Sequence, residues 1–240
     1  MNKLKFNLPE IVLINPQLPQ NLGAVARAML NFNFDKLRIV NPKFNLKNEK
    51  IIPLAAGADM VIKKMRVFSS YKNAVKDFNL LVSTSNRDRS IGKMTISIHE
   101  LPKIIKNQSK VGIIFGPENS GLDNEHLSIS DYVLKIPTNP EFSSINLSHA
   151  VLLICYEILK NVSFYKTSKK RISKNQIASK KELLNFYRIL EHELEKKNFF
   201  LVKERKRIII QKIRNIFGKL ILDSNEIKIL IGIVKALNKQ

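Results

Sequence analysis

Three stretches of this sequence gather residue types that can do chemistry. The first runs Asn15-Pro-Gln-Leu-Pro-Gln-Asn-Leu-Gly-Ala-Val-Ala-Arg-Ala and reads as the start of a helix. Leu22, Val25, Ala26, Met29 and Leu30 recur at i, i+3, i+4, i+7 and i+8, which is one apolar helical face. Arg27 falls outside that stripe, one turn beyond Gly23, where missing bulk lets another backbone or a ligand come close. A guanidinium there could hold an oxyanion; a solvated helix arginine would have the same sequence. The second stretch, Gly116-Pro-Glu-Asn-Ser-Gly-Leu122, follows the apolar run VGIIF. Gly116 and Gly121 enclose four residues, as in a phosphate loop, but Leu122 and Asp123 stand where lysine and Ser/Thr would grip phosphate and magnesium. That disfavours a nucleoside triphosphatase. A glycine turn at a strand's carboxyl end can instead offer backbone amides to a ligand, although many such turns are structural only. The third stretch, Ile136-Pro-Thr-Asn-Pro-Glu-Phe-Ser-Ser-Ile-Asn-Leu-Ser148, stiffens its backbone with Pro137 and Pro140. It then presents Ser143, Ser144 and Asn146 at a helix start, and capping alone accounts for one of those three groups.

The elements that must position these groups follow from the apolar rhythm. From Glu10 to Leu159 short β-branched runs (EIVLI, KLRIV, LLVST, VGIIF, YVLKI) alternate with helical patterns, one near Gln20–Phe32 and one from about Ile145. That alternation predicts an α/β domain over residues 1–160, a mostly parallel sheet with flanking helices. Residues 161–179 read as a basic linker, with eight Lys/Arg and no acid between Lys160 and Lys181. Residues 180–240 read as a helical extension, with helices near Lys180–Lys197, Lys203–Phe217 and Ser224–Leu237. Ser179-x-x-Glu182 and Asp223-x-x-Glu226 have capping-box spacing, and Ile227, Leu230, Ile231 and Val234 form one stripe.

Composition bounds the function. The net charge is +21, distributed as twenty basic against thirteen acidic residues up to Leu159 and twenty-one against seven beyond it. Such a field concentrates polyanions, which points to nucleic acid, with an anionic membrane as the runner-up. A general lysine-rich composition would raise the charge equally. There is no apolar run long enough to span a membrane and no signal-peptide pattern after MNKLKFNLPE, so a cytoplasmic location is expected. The single cysteine, Cys155, lies in VLLICYEIL and reads as core filling. His99, His126, His149 and His192 are scattered without metal-ligand spacing, so a metal-free site is expected.

Taken in order, NLGAVARA, Thr84-Ser-Asn-Arg87, FGPENSGL and IPTNPEFSSINLSHAV resemble the motifs of the SpoU branch of the SPOUT RNA methyltransferases. More narrowly they resemble the tRNA (cytidine/uridine-2′-O)-methyltransferase J family, over roughly residues 9–160. The resemblance implies a SPOUT trefoil-knot methyltransferase domain that binds S-adenosylmethionine, works as a homodimer and takes tRNA across both subunits. Thr84, Ser85, Asn86, Gly116, Ile136, Ser143, Ser144 and Ile145 would then line the cofactor, with Glu118, Asn119 and Leu147 shaping its loops. Asn21 and Arg27 would face the incoming ribose, with Ser144 and Asn146 nearby. Asn86 stands where relatives often carry a small residue, and Ser148-His149 where alanine is frequent.

A guanidinium is effectively always charged in proteins. Arg27 is therefore expected to clamp the neighbouring phosphate and stabilise developing alkoxide charge rather than to act as a base. The implied reaction is 2′-O-methylation of cytidine or uridine at position 32, where the anticodon loop begins. Methylation of another tRNA position or of rRNA, and a non-catalytic RNA-binding protein on the same fold, remain the alternatives.

Overall fold

The structure is a computed structural model that describes residues 7–87, 92–164 and 177–238. The alternating apolar runs become strands β1 (Glu10–Ile14), β2 (Leu37–Val40), β4 (Leu80–Thr84), β6 (Val111–Phe115) and β7 (Tyr132–Lys135). Two more strands, β3 (Arg66–Phe68) and β5 (Met94–Ser97), close the edges of a seven-stranded sheet in the order β3-β2-β1-β6-β4-β7-β5. Every pairing is parallel, which confirms the expected α/β architecture. The edge strands are short and partly polar, so they carry no apolar signature in the sequence.

Parallel strands need crossovers on both faces, and the core is built accordingly. Ile11 and Leu13 pack beneath α1 (Pro19–Asn31) and α7 (Leu147–Phe164), together with Val82, Ile113 and Leu134. Val12 and Ile14 point the other way, toward α4 (Tyr71–Val75) and α6 (Asn124–Ile129). The remaining short helices are α2 (Ile51–Ala55), α3 (Asp59–Lys64) and α5 (Leu101–Ile105). Cys155 is buried on α7, where burial pushes its thiol pKa up, in keeping with core filling.

Gly23 has a structural purpose. A Cβ there would lie 3.0 Å from Ala55 N and from Leu54 Cβ, and nearer still to the Ile51 carbonyl oxygen. Another backbone, that of α2, takes the space the sequence left open.

The C-terminal helices are α8 (Lys180–Lys196), α9 (Lys203–Gly218) and α10 (Ser224–Ala236). Both expected capping boxes form, at Ser179/Glu182 and at Asp223/Glu226. Phe186, Tyr187, Leu183 and Ile227 make a small core of their own. This bundle is tied to the sheet domain: Lys180 Nζ pairs with Asp131 at 2.5 Å, and Asn79 Nδ2 donates to the Ile177 carbonyl at 2.6 Å. Most of the expected basic linker at 161–179 lies outside the described residues, and α7 runs through its first part to Phe164.

At the amino ends of β1 and β2 sits a buried charge cluster. Arg38, 1% exposed, donates to Glu10 Oε2 at 2.7 Å and to Asp77 at 2.5 and 3.0 Å, with its guanidinium 4.0 Å from the Phe78 ring centroid. Burial pushes the Glu10 carboxyl up, but the Arg38 and Arg66 guanidiniums outweigh it and hold that carboxyl below its ordinary value. Asp77 is likewise held low, by Arg38 and Lys110 against its burial.

Candidate active site

The carboxyl ends of β6, β4 and β7, neighbours in the sheet, open into one cavity of about 340 Å³. That is the position where open α/β sheets bind ligands, and the volume falls within the roughly 300–1,000 Å³ of small-molecule sites. Phe115, Leu134 and Ile136 from the strand ends, with Ile145, Leu147 and Ala150, supply apolar surface. Thr84, Ser85, Asn86, Gly116, Glu118, Ser143 and Ser144 supply polar groups. The eight positions expected to line one ligand, with Glu118, Asn119 and Leu147 expected to shape its loops, therefore line a single cavity although they span more than sixty positions of sequence.

Each wall has a local cause. The Gly116–Leu122 turn folds so tightly that a Cβ on Gly116 would lie 2.5 Å from the Gly121 carbonyl carbon. Gly121, at φ +65°, closes the turn by donating its N–H to the Pro117 carbonyl at 2.8 Å. Thr84 Oγ1 donates to the Ile114 carbonyl at 3.0 Å and pins the end of β4 to β6. Asn86 Nδ2 donates to both Thr138 Oγ1 and the Ser143 carbonyl at 2.8 Å, so it staples the β4 loop to the segment before α7. A small residue at that position could not make this bridge.

Beside the cavity a relay joins three stretches of sequence. Glu118 accepts the Gln17 N–H at 2.9 Å, the Leu18 N–H at 3.3 Å and Asn21 Nδ2 at 2.9 Å. Asn21 Oδ1 in turn accepts Asn146 Nδ2 at 3.0 Å. Asn146 Oδ1 accepts both the N–H and the hydroxyl of Ser148, which makes Asn146 the cap of α7.

The two residues expected to face the ribose lie on different sides of α1. Asn21 is 6% exposed, gives an amide N–H to Glu118 and accepts one from Asn146, so it orients both. Arg27 is exposed and does not line the cavity of its own chain. Six residues of helix separate the two, so they point about 120° apart around α1. Ser144 does line the cavity; Asn146 stands behind it in the relay.

Sequence reasoning assigned no role to Arg87, Pro117, Leu122, Phe115, Leu134 and Ala150, which also line the cavity; Gly121, expected in the glycine turn, lines it too. The strand-end position of Phe115 and Leu134 was an available signal; for Arg87 the signal was its place in the TSNR motif.

Comparison with known proteins agrees with this geometry. Residues 9–156 match the SpoU rRNA Methylase family. The tRNA (cytidine/uridine-2′-O-)-methyltransferase TrmJ of Pectobacterium atrosepticum is 31% identical over 233 residues, covering 95% of this chain and 96% of that protein. The crystal structure of TrmJ from Z. mobilis ZM4 superposes with a TM-score of 0.88 at 35% identity, over 97% of this chain and 100% of that one. The SpoU methyltransferase AviRb from Streptomyces viridochromogenes, solved in complex with AdoMet, shares the fold at 17% identity and TM-score 0.53, over 65% of this chain and 61% of that one. The sheet order, the cavity at its carboxyl edge and these matches together place the chain in the SpoU rRNA methylase family, as an RNA methyltransferase.

Proposed function

We propose that this protein methylates the 2′-hydroxyl of a tRNA ribose with S-adenosylmethionine, at cytidine or uridine 32, as a cytoplasmic homodimer. The observation that carries the reading is the cavity itself, where apolar strand ends meet a rigid glycine turn and a serine-bearing loop. Those residues fit the cofactor: Phe115, Leu134, Ile136 and Ile145 offer apolar surface to an adenine, and the turn offers backbone groups. Bound there, S-adenosylmethionine supplies an electrophilic methyl group.

The chain's own task is placement, because holding a hydroxyl in line with a reactive centre removes several kcal/mol of barrier. Asn86 would hold the cavity's two loops together, and Glu118, oriented by Asn21, would fix the chain entering α1. Arg27 would act from the second subunit. Leu152, Leu153 and Tyr156 leave apolar surface exposed along α7, and Tyr156 meets Phe32 at the end of α1 edge-on at 5.9 Å. A second copy covering that surface would carry its own exposed Arg27 face with it, so one protomer's guanidinium could reach the other's cavity. There the fixed cation would clamp the phosphate next to the reacting ribose.

The test incubates the protein with radiolabelled S-adenosylmethionine and unmodified tRNA and maps the methylated nucleotide. Label on ribose 32 is expected; label elsewhere moves the target, and no label on any tRNA or rRNA removes the enzymatic reading. Mixing Arg27→Ala and Gly116→Ala protomers checks the shared site, because only the mixed dimer carries one intact combination. Recovery of activity on mixing is expected.

A further inference from the structure

The turn joining α8 to α9 has features that the cavity does not use. Asn198 adopts a left-handed φ of 54°, and the Phe199 N–H donates to the Leu194 carbonyl at 3.0 Å, so the chain leaves α8 through a fixed turn. Four apolar residues follow, Phe199-Phe200-Leu201-Val202, and three of them are exposed: Phe199 at 51%, Leu201 at 88% and Val202 at 46%. The Phe199 ring stands edge-on to the Phe200 ring, centroids 5.5 Å apart at 82°. Phe200 is half-buried with Lys206 Nζ 5.7 Å from its centroid, so Phe199 leans on a supported neighbour. A run of exposed apolar residues this long is unfavourable in water and marks a surface that a partner covers.

Charge identifies the partner. Residues 193–207 hold Lys196, Lys197, Lys203, Arg205, Lys206 and Arg207 against Glu193, Glu195 and Glu204. Lys196 pairs with Glu193 and Lys206 with Glu195, so Lys197, Arg205 and Arg207 are the cations left to meet a partner among the described residues. An aromatic ring flanked by cations matches an unpaired nucleobase between two phosphates, where the ring stacks and the ammonium and guanidinium groups meet the backbone. We propose that this turn is an RNA-binding tip: Phe199 stacks on an unpaired base and the flanking cations hold the adjacent phosphates. The proposal rests on the reading of tRNA as substrate, which favours RNA over an anionic membrane of the same charge. It gives the C-terminal extension a contact with a base beside contacts with the backbone.

The chain contains no tryptophan, so Phe199→Trp in the full-length protein places a single, selectively excitable tryptophan at the tip. Titration with tRNA and with single-stranded oligouridylate should quench it. An RNA duplex of equal length should bind, read by anisotropy of labelled RNA, with little quenching. Phe199→Ala should weaken single-strand affinity about 5- to 100-fold and leave the salt dependence unchanged, because stacking releases no counterions. Paired replacement of Lys197 and Arg205 by glutamine should instead lower the salt slope by about 0.7 per charge. The tip assignment is overturned, with the tRNA reading intact, if tRNA binds without quenching and Phe199→Ala binds like the parent. A blue shift with phosphatidylserine vesicles but no response to RNA overturns it in favour of a membrane surface. If the parent protein binds no tRNA at all, the substrate reading fails first, and that result is separable because it does not depend on residue 199.

Discussion

Replacing Gly116 by alanine probes the cavity at its tightest point. The added Cβ would lie 2.5 Å from the Gly121 carbonyl carbon and 2.9 Å from Gly121 Cα, with the Leu122 nitrogen closer still. Carbon atoms meet comfortably at about 3.5 Å, so the turn must open by on the order of 1 Å. All three neighbours are backbone, so no side chain can swing aside. The turn is also closed by the Gly121 N–H donated to the Pro117 carbonyl at 2.8 Å, and opening it strains that bond. Overpacking of this kind costs about 1–3 kcal/mol, partly offset by about 0.4–1 kcal/mol from the stiffer unfolded chain. The net loss should be on the order of 1–2 kcal/mol, small enough for the fold to survive, while a wall displaced by about 1 Å can cost roughly a hundredfold in rate. Denaturant unfolding measures the first quantity, and calorimetry with S-adenosylmethionine together with methylation assays measures the second. Gly121→Ala is the control: its Cβ meets nothing within 4 Å, and it should lose stability through its positive φ while leaving the Gly116 contact untouched. If Gly116→Ala binds the cofactor and methylates RNA like the parent, the argument that this turn forms the ligand's wall is refuted.

Three further outcomes follow from the same structure. Glu118→Gln places an amide N–H among three donors and should lower stability by about 1–3 kcal/mol and reduce kcat/KM; equal activity would show that the relay is not needed. Glu10→Gln leaves the buried Arg38 short of one carboxylate and should cost about 3–5 kcal/mol at neutral pH, measured by denaturant unfolding. Because the Glu10 carboxyl lies lower folded than its ordinary 4.5, its contribution is complete above that value and fades as pH falls through the folded pKa, so parent and variant should converge in acid. Among the described residues the buried Lys93 Nζ, beside Gly218, has no hydrogen-bond partner, and burial pushes its pKa down from 10.5 to about 8. The unfolded chain therefore binds a proton the folded chain has lost between those values, so stability should climb across that window. Lys93→Met should raise stability at pH 7 by roughly 3 kcal/mol at most, with the gain shrinking above pH 8; a gain that ignores pH would point to packing instead of charge.

Much of the molecule is local and therefore readable from sequence order. Helix periodicity placed α1, α8, α9 and α10 within a residue or two, since the i, i+3, i+4 stripe and the Ser179 and Asp223 capping boxes are contained in a few consecutive positions. The five central apolar runs became strands because residues buried on both faces must be apolar throughout. Strands β3 and β5 escaped notice because their neighbours in the sheet, and not their composition, make them strands. Motif types and order pointed to the cavity residues, but the meeting of Thr84, Gly116, Ile136 and Ser144 depends on β6, β4 and β7 lying side by side. Only the folded chain decided that Asn21 turns inward to Glu118 and Asn146 while Arg27 turns out to water, because direction around a helix acquires meaning from what packs against each face. The same holds for Gly23, which serves the α2 backbone, and for Phe199, whose exposure follows from how α8 ends. Sequence spacing sets which side chains can share a face; long-range packing sets what that face meets.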